Sequence, residues 1–200
     1  MKKKLIIVCA PPASGKTYVS KRLAEVLPSP VYLDKDDLAP IMKSAFRAAG
    51  EEFNMDSAFY SEKLRDAEYE TVIGIALSTL AYSDTVILNA PFSREVRDGE
   101  YMKALRARAE GVGAELLLVW VTAPIEVIRE RMAARGAVRD IGKLRDFESY
   151  ASRINYSAPS ELIECGAVGE LFIFDSATPE STERSLEELL TVIRKEKPED

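Results

Sequence analysis

The 200-residue chain reads as an α/β domain: a five-stranded, mostly parallel sheet with helices on both faces. Three observations predict it. Short apolar runs alternate with helix-period segments from one end of the chain to the other. The first apolar run, Leu5-Ile6-Ile7-Val8-Cys9, leads into Ala10-Pro11-Pro12-Ala13-Ser14-Gly15-Lys16-Thr17, a tight loop that opens a helix. Five strand ends can be marked, and four carry side chains suited to holding a ligand, which is where open parallel sheets place one.

The elements follow in order. The first strand is Lys4–Cys9, and its helix runs from Lys16 to about Leu27 with Val19, Leu23, Val26 and Leu27 as a core face, stopped by Pro28. A short strand, Val31-Tyr32-Leu33, leads into Asp34-Lys35-Asp36-Asp37; a helix near Leu38–Ala49 ends at Gly50, a left-handed cap. Ser57–Ala81 reads as one long helix with a face of Leu64, Ala67, Val72, Ile73, Ala76, Leu77 and Leu80. Thr85–Asn89 is the third strand. Ser93 is positioned to cap a helix to about Glu110, and Gly111–Gly113 turns the chain into a fourth strand, Glu115–Thr122. Pro124 opens a helix to Arg135, Gly136–Gly142 is a polar, mobile stretch, and Leu144–Ile154 is helical. A last strand, Glu170–Phe174, precedes a helix near Ser181–Lys195 and a frayed tail, Lys197–Asp200.

Composition narrows the function. A net charge of −6 and a pI near 5.0 argue against broad electrostatic binding to nucleic acid. No apolar run is long enough to span a bilayer, and the Met1-Lys2-Lys3-Lys4 start feeds a buried strand rather than a secretory leader. Two distant cysteines, Cys9 and Cys165, predict reduced thiols and a cytoplasmic protein. The absence of histidine removes imidazole bases, histidine–metal sites and Ser-His triads.

The loop after the first strand is a phosphate cradle. Backbone N–H groups from Ala13 to Thr17, Pro12 ahead of them, are expected to face a β-phosphate at the positive end of the helix. Lys16 is expected to reach the β- and γ-phosphates and the Thr17 hydroxyl to hold Mg²⁺. Ala10 stands where the Walker A pattern has glycine, and serves if its φ stays negative. A phosphoryl acceptor hydroxyl needs a carboxylate to orient it and accept its proton. Asp36 is the first candidate, with Asp34 and Asp37 in reserve and one of the three expected to cap the following helix. Arg131 and Arg135, four apart on one helix face, could neutralise charge on the γ-phosphate of ATP from a closing lid, with Arg139 just beyond. Arg129 reads instead as part of a solvated face with Glu126 and Glu130. Asp175 to Thr178 is placed to touch the adenine edge. Arg94 and Arg97 either meet a charged substrate or pair with Glu95 and Asp98.

With these residues in place the chain resembles the small P-loop kinases grouped as AAA-type ATP-binding kinases, related to zeta toxin, polynucleotide kinase and chloramphenicol phosphotransferase. The resemblance runs through Pro12–Thr17, Leu33–Leu38, Asp84–Phe92, Val121–Pro124 and the lid-type segment Arg129–Gly136. It implies a five-stranded parallel sheet, ATP with Mg²⁺, and γ-phosphoryl transfer to a hydroxyl of a small molecule or nucleic acid. The family's aspartate after strand two falls on Asp36, and its lid arginines on Arg131 and Arg135. Two positions depart. Asn89 stands where relatives often carry an acidic residue, which would shift metal binding to water or Asp34. Ala39-Pro40 follows Leu38 where polynucleotide-kinase relatives carry a phosphate-binding arginine, which argues against a nucleic-acid end as substrate.

The resulting expectation is one domain over residues 1–200 with a lid at about 136–143, acting as a cytoplasmic ATP-dependent phosphotransferase on a small-molecule hydroxyl. Arg94, Asp34, Asp36 and Asp37 are its substrate candidates, and Thr17 and Asp34 its metal candidates. The alternatives are a nucleotide or polynucleotide kinase and an ATP-binding, toxin-like switch module. The oligomeric state is left open.

Overall fold

A computed structural model describes residues 3–194, apart from the side chains of residues 138 and 139. Expectations for Met1 and Lys2, for the Arg139 side chain, for Lys195 and for the tail fall outside the described residues. The sheet is wholly parallel, in the order β2-β3-β1-β4-β5. Its strands are β1 (Lys3–Cys9), β2 (Val31–Asp34), β3 (Thr85–Asn89), β4 (Ala114–Thr122) and β5 (Glu170–Asp175). β1 and β3 are buried almost throughout, as strands covered by helices on both faces must be.

Alternation along β1 splits the core in two. Leu5, Ile7 and Cys9 face α3 (Arg65–Thr79) and α4 (Gly99–Gly111), packing with Val72, Ile73, Met102 and Leu105. Ile6, Val8 and Ala10 face α1 (Lys16–Val26) and α9 (Pro179–Arg194), packing with Val19, Leu23, Leu186 and Leu189. The helix after β1 therefore leaves on one face and the helix after β3 on the other. Between the carboxyl ends of β1 and β3 the connections part, which opens the crevice where such sheets bind ligands. Lys16 and Asn89 stand on its two sides.

Several local expectations are corrected. Asp98, not Ser93, caps α4, accepting from the backbone N–H of Glu100 and Tyr101; a 3₁₀ turn at Glu95–Arg97 occupies the space between. Val26 and Ala67 are exposed; the apolar face of α3 instead carries the charged Arg65 and Glu68 beside Tyr69. Just before α3 the chain makes a π turn at Tyr60–Leu64. The stretch after α5 (Ile125–Arg135) is not a mobile loop: Gly136, at φ 60°, ends α5 and α6 (Val138–Arg145) follows. The helix read as Leu144–Ile154 is only its end plus α7 (Phe147–Ala151), which with α5 forms a small core of Ile128, Met132 and Phe147. Ala13 of the phosphate loop packs against that core. A short α8 (Glu161–Glu164) went unpredicted, and α2 (Ala39–Ala49) ends at Gly50 in the left-handed conformation as expected. Cys9 is buried and Cys165 exposed, both free. Among the described residues no helix is long and apolar enough to cross a membrane.

Candidate active site

The loop between β1 and α1 turns by alternating handedness. Ala13 has φ 63° and Gly15 φ 94°, with Ser14 between them, so successive backbone N–H groups converge on one side as an anion-holding concavity. Ala10 keeps a negative φ and is fully buried, so the residue that replaces glycine there is accommodated. No side chain caps the first turn of α1, so its leading N–H groups stay directed at the same concavity. The loop is braced from behind. The Ser176 hydroxyl, just past β5, donates to the Ser14 carbonyl at 2.7 Å, and Arg131 Nη1 donates to that carbonyl at 3.4 Å and to Ser176 Oγ at 3.1 Å. Gly15 is required twice, by its φ and because a Cβ there would lie 3.2 Å from Ser176 Oγ and 3.3 Å from Arg131 Nη1.

Lys16 reaches across the crevice. Its ammonium donates to Asn89 Oδ1 at 2.7 Å. Burial pushes its pKa below the usual 10.5, and the nearby Asp34 and Asp36 carboxylates oppose that shift. Asn89 is wholly buried and uses both ends of its amide. Its Nδ2 donates to Asp34 Oδ2 at 2.6 Å and Tyr32 Oη at 3.0 Å, and stands 3.3 Å from Thr17 Oγ1. Register explains the grouping: Asp34 and Val8 both pair with Asn89 across the sheet. Tyr32 also donates to Asp34 Oδ2 at 2.9 Å, and burial raises its pKa.

The three aspartates divide their work. Asp34 caps the 3₁₀ turn Lys35–Leu38, its Oδ1 accepting from the Asp36 backbone N–H at 3.0 Å. Asp36 and Asp37 are exposed, and Asp36 lies close enough to Lys16 to act on its charge. A hydroxyl on Thr17 and a carboxylate on Asp34, both on the same Asn89 amide, fit Mg²⁺, which takes few protein oxygens and keeps waters and phosphates.

The arginines separate. Arg131 stays on the phosphate loop, and Nη2 also donates to the Ser176 carbonyl. Arg135 donates through Nε and Nη2 to a single oxygen of buried Asp140, at 2.9 and 2.6 Å, tying α5 to α6. Arg129 is exposed together with Glu126 and Glu130, as expected of a solvated face, and its guanidinium lies over the Phe147 ring. Arg94 donates to the Ser61 hydroxyl, and Arg97 to Glu161 and the Ser157 carbonyl; neither makes the sequence-predicted pairing with Glu95 or Asp98. At the end of β5, Asp175 closes a turn onto the Ala177 N–H and Thr178 caps α9, leaving Ser176 as the member that touches the phosphate loop.

Sequence reasoning missed the buried charges beside the aspartates. Arg65 pairs bidentately with Glu95 and lies over Tyr69, while Lys35 pairs with Glu68. A signal existed: residues 65, 68, 69, 72, 73 and 76 share one helix face, so Arg65 and Glu68 interrupt an apolar stripe.

The family model described as an AAA domain matches residues 5–154. Comparison with curated proteins gives no match. Among solved structures, a protein of Chloroflexus aurantiacus provisionally named a kinase is 21% identical over 97% of this chain and 98% of its own, with TM-score 0.61. A sugar kinase from Janibacter sp. is 18% identical over 96% and 94%, with TM-score 0.56. The APS kinase of Mycobacterium tuberculosis, solved with AMPPNP and APS, is 16% identical over 97% and 99%, with TM-score 0.55. At these identities the likeness is one of fold.

Proposed function

Because the chain belongs to the AAA domain family of P-loop kinases, we propose that it transfers the γ-phosphoryl group of ATP to a hydroxyl of a small molecule. One observation carries this reading. Lys16, the phosphate-binding cation, and the turn that carries Asp36, the carboxylate suited to an acceptor hydroxyl, are joined through Asn89. Lys16 donates to Asn89 Oδ1 at 2.7 Å, Asn89 donates to Asp34 Oδ2 at 2.6 Å, and Asp34 Oδ1 accepts from the Asp36 backbone N–H at 3.0 Å.

In this reading the loop amides and Lys16 hold the triphosphate, and Asp36 orients the acceptor hydroxyl and takes its proton as the phosphoryl group leaves ADP. Thr17 and Asp34 would hold Mg²⁺, which when bound neutralises charge on the β- and γ-oxygens. Arg131 steadies the loop that grips the nucleotide, and Arg135 offers its remaining guanidinium edge from beside α6, the proposed lid. Arg94, exposed on the loop after β3 and bonded to a neutral serine, is free to meet a polar or anionic part of the acceptor.

Transfer of ³²P from γ-labelled ATP to a panel of sugars, sugar acids, amino alcohols and nucleosides tests the proposal. A labelled small molecule, lost in Lys16→Ala and in Asp36→Asn, is the expected result. Label on a nucleoside or an oligonucleotide end would move the assignment to a nucleotide or polynucleotide kinase. AMPPNP binding without acceptor-dependent turnover would make the protein a switch module.

A further inference from the structure

We propose that Lys35 is a positioning residue for Asp36, locked in place by Glu68 and Tyr60. The inference rests on the reading above, in which Asp36 orients the acceptor. Lys35 lies in a short polar turn between Asp34 and Asp36, where a lysine ordinarily extends into water. Here it turns inward and is 5% exposed. Its ammonium stands 3.1 Å from Glu68 Oε2 and 3.3 Å from Asp36 Oδ1, bridging the two carboxylates. Glu68, 1% exposed, is itself held: the Tyr60 hydroxyl donates to the same Oε2 at 2.5 Å, and Oε1 has no hydrogen-bond partner. The π turn that begins at Tyr60 brings that hydroxyl to a residue eight positions on.

Stability does not account for this arrangement. Taking an ammonium and a carboxylate out of water costs more than their attraction returns unless geometry and satisfaction are complete, and one Glu68 oxygen is unsatisfied. The arrangement does account for order at Asp36. That side chain is 67% exposed and, left alone, would rotate freely. Its backbone N–H is fixed by Asp34 Oδ1, which Asn89 anchors through the other oxygen, and its carboxylate is fixed by Lys35. Asp36 is thus held at two points, its backbone N–H by Asp34 and its carboxylate by Lys35. Preorganisation of this kind lowers a barrier without touching substrate.

The test replaces the network with apolar groups of similar shape in the full-length chain: Lys35→Met, Glu68→Leu and Tyr60→Phe together, which leaves no buried polar atom orphaned. Acceptor-independent ATP hydrolysis, with water in the acceptor's place, AMPPNP affinity by calorimetry and urea unfolding are compared with wild type. The expected result is an unchanged or raised urea midpoint, AMPPNP affinity within about twofold, and kcat lower by about tenfold or more. Lys35→Arg should keep most of the activity, which a purely structural loss would not predict. Wild-type kcat in the triple variant overturns the positioning role. Should that variant fail to fold, Lys35→Gln, which keeps a donor towards Glu68 without the charge, is read by the same criteria. Asp36→Asn run alongside separates the two readings, because undiminished hydrolysis there overturns the role of Asp36 itself.

Discussion

Asn89 Oδ1 stands 2.7 Å from Lys16 Nζ, so the residue that ends the third strand holds the cation that begins the first helix. Its amide nitrogen serves Asp34, Tyr32 and Thr17 on the other side. An aspartate at this position could accept from Lys16 but could not donate to Asp34, and would set two carboxylates against each other. The amide permits Asp34 to sit beside Thr17, which is why the acidic candidate for metal lies on β2 and not on β3.

Asn89→Ala should therefore do more than remove one contact. It leaves the half-buried Asp34 carboxylate and the half-buried Lys16 ammonium without their shared partner, at a cost of about 1 kcal/mol or more in stability. Calorimetric melting should fall by several degrees, and ATP-dependent turnover by about tenfold or more as Lys16 loses its fixed position. A variant that melts and turns over like wild type would remove Asn89 from the account.

Much of this site was legible in the sequence because it lies where local rules are strict. A strand, a loop with Gly15-Lys16-Thr17 and a helix start specify a phosphate cradle by backbone geometry alone. The aspartates follow from where β2 stops. The apolar alternation of β1 and β3 likewise gave the parallel sheet. What could not be read were pairings between segments distant in sequence. Arg65 with Glu95 and Lys35 with Glu68 each bring together residues about 30 positions apart, and a charge on an otherwise apolar face hints at a partner without naming it. Ser176 was passed over because Asp175 and Thr178 look more functional, yet both are consumed by local caps. The segment after Gly136 reads as loose because it is polar, and it is helical because Asp140 gives Arg135 a buried partner.

Arg65→Ala should be among the most damaging substitutions away from the phosphate loop. Glu95 would be left buried without its two donors, and the guanidinium that lies 4.2 Å from the centre of the Tyr69 ring would be lost. Removing one member of a buried pair costs about 3–5 kcal/mol, whereas Arg65→Met with Glu95→Leu should recover most of it. Urea unfolding of the single and double variants measures the difference, and equal losses in both would contradict the pairing.

The two cysteines should separate by reactivity and by pH. Burial pushes the Cys9 thiol well above its ordinary 9.0, with Lys16 and Arg97 acting weakly against it, while Cys165 is exposed. One thiol should react with a colorimetric reagent in the native protein and two after denaturation. The sign of the linkage follows: above pH 9.0 the unfolded chain gives up the Cys9 proton and the folded chain keeps it. The contribution is intact below that pH and lost as pH rises through it. Thermal midpoints should fall more steeply above pH 9 in wild type than in Cys9→Ala; parallel curves would place the alkaline loss elsewhere, for example on the buried tyrosines.

Gly15→Ala tests the cradle most directly. At φ 94° an alanine is strained by about 1–2 kcal/mol, and its methyl would press on Ser176 Oγ and Arg131 Nη1 at 3.2 and 3.3 Å. Arg131 is a long side chain and can withdraw, but Ser176 is buried and bonded to both Ser14 and Thr122. The loop must therefore give way, and with it the alignment of the Ala13 to Thr17 amides. AMPPNP affinity measured by calorimetry should fall by about tenfold or more while circular dichroism stays that of the wild type, because the sheet and its two cores do not depend on this turn. Removing Ser176 in the same chain, as Gly15→Ala with Ser176→Gly, should restore part of that affinity by making room for the methyl. If the second substitution weakens binding further, Ser176 supports the loop more than it crowds it, and the close approach at Gly15 is not what sets nucleotide affinity.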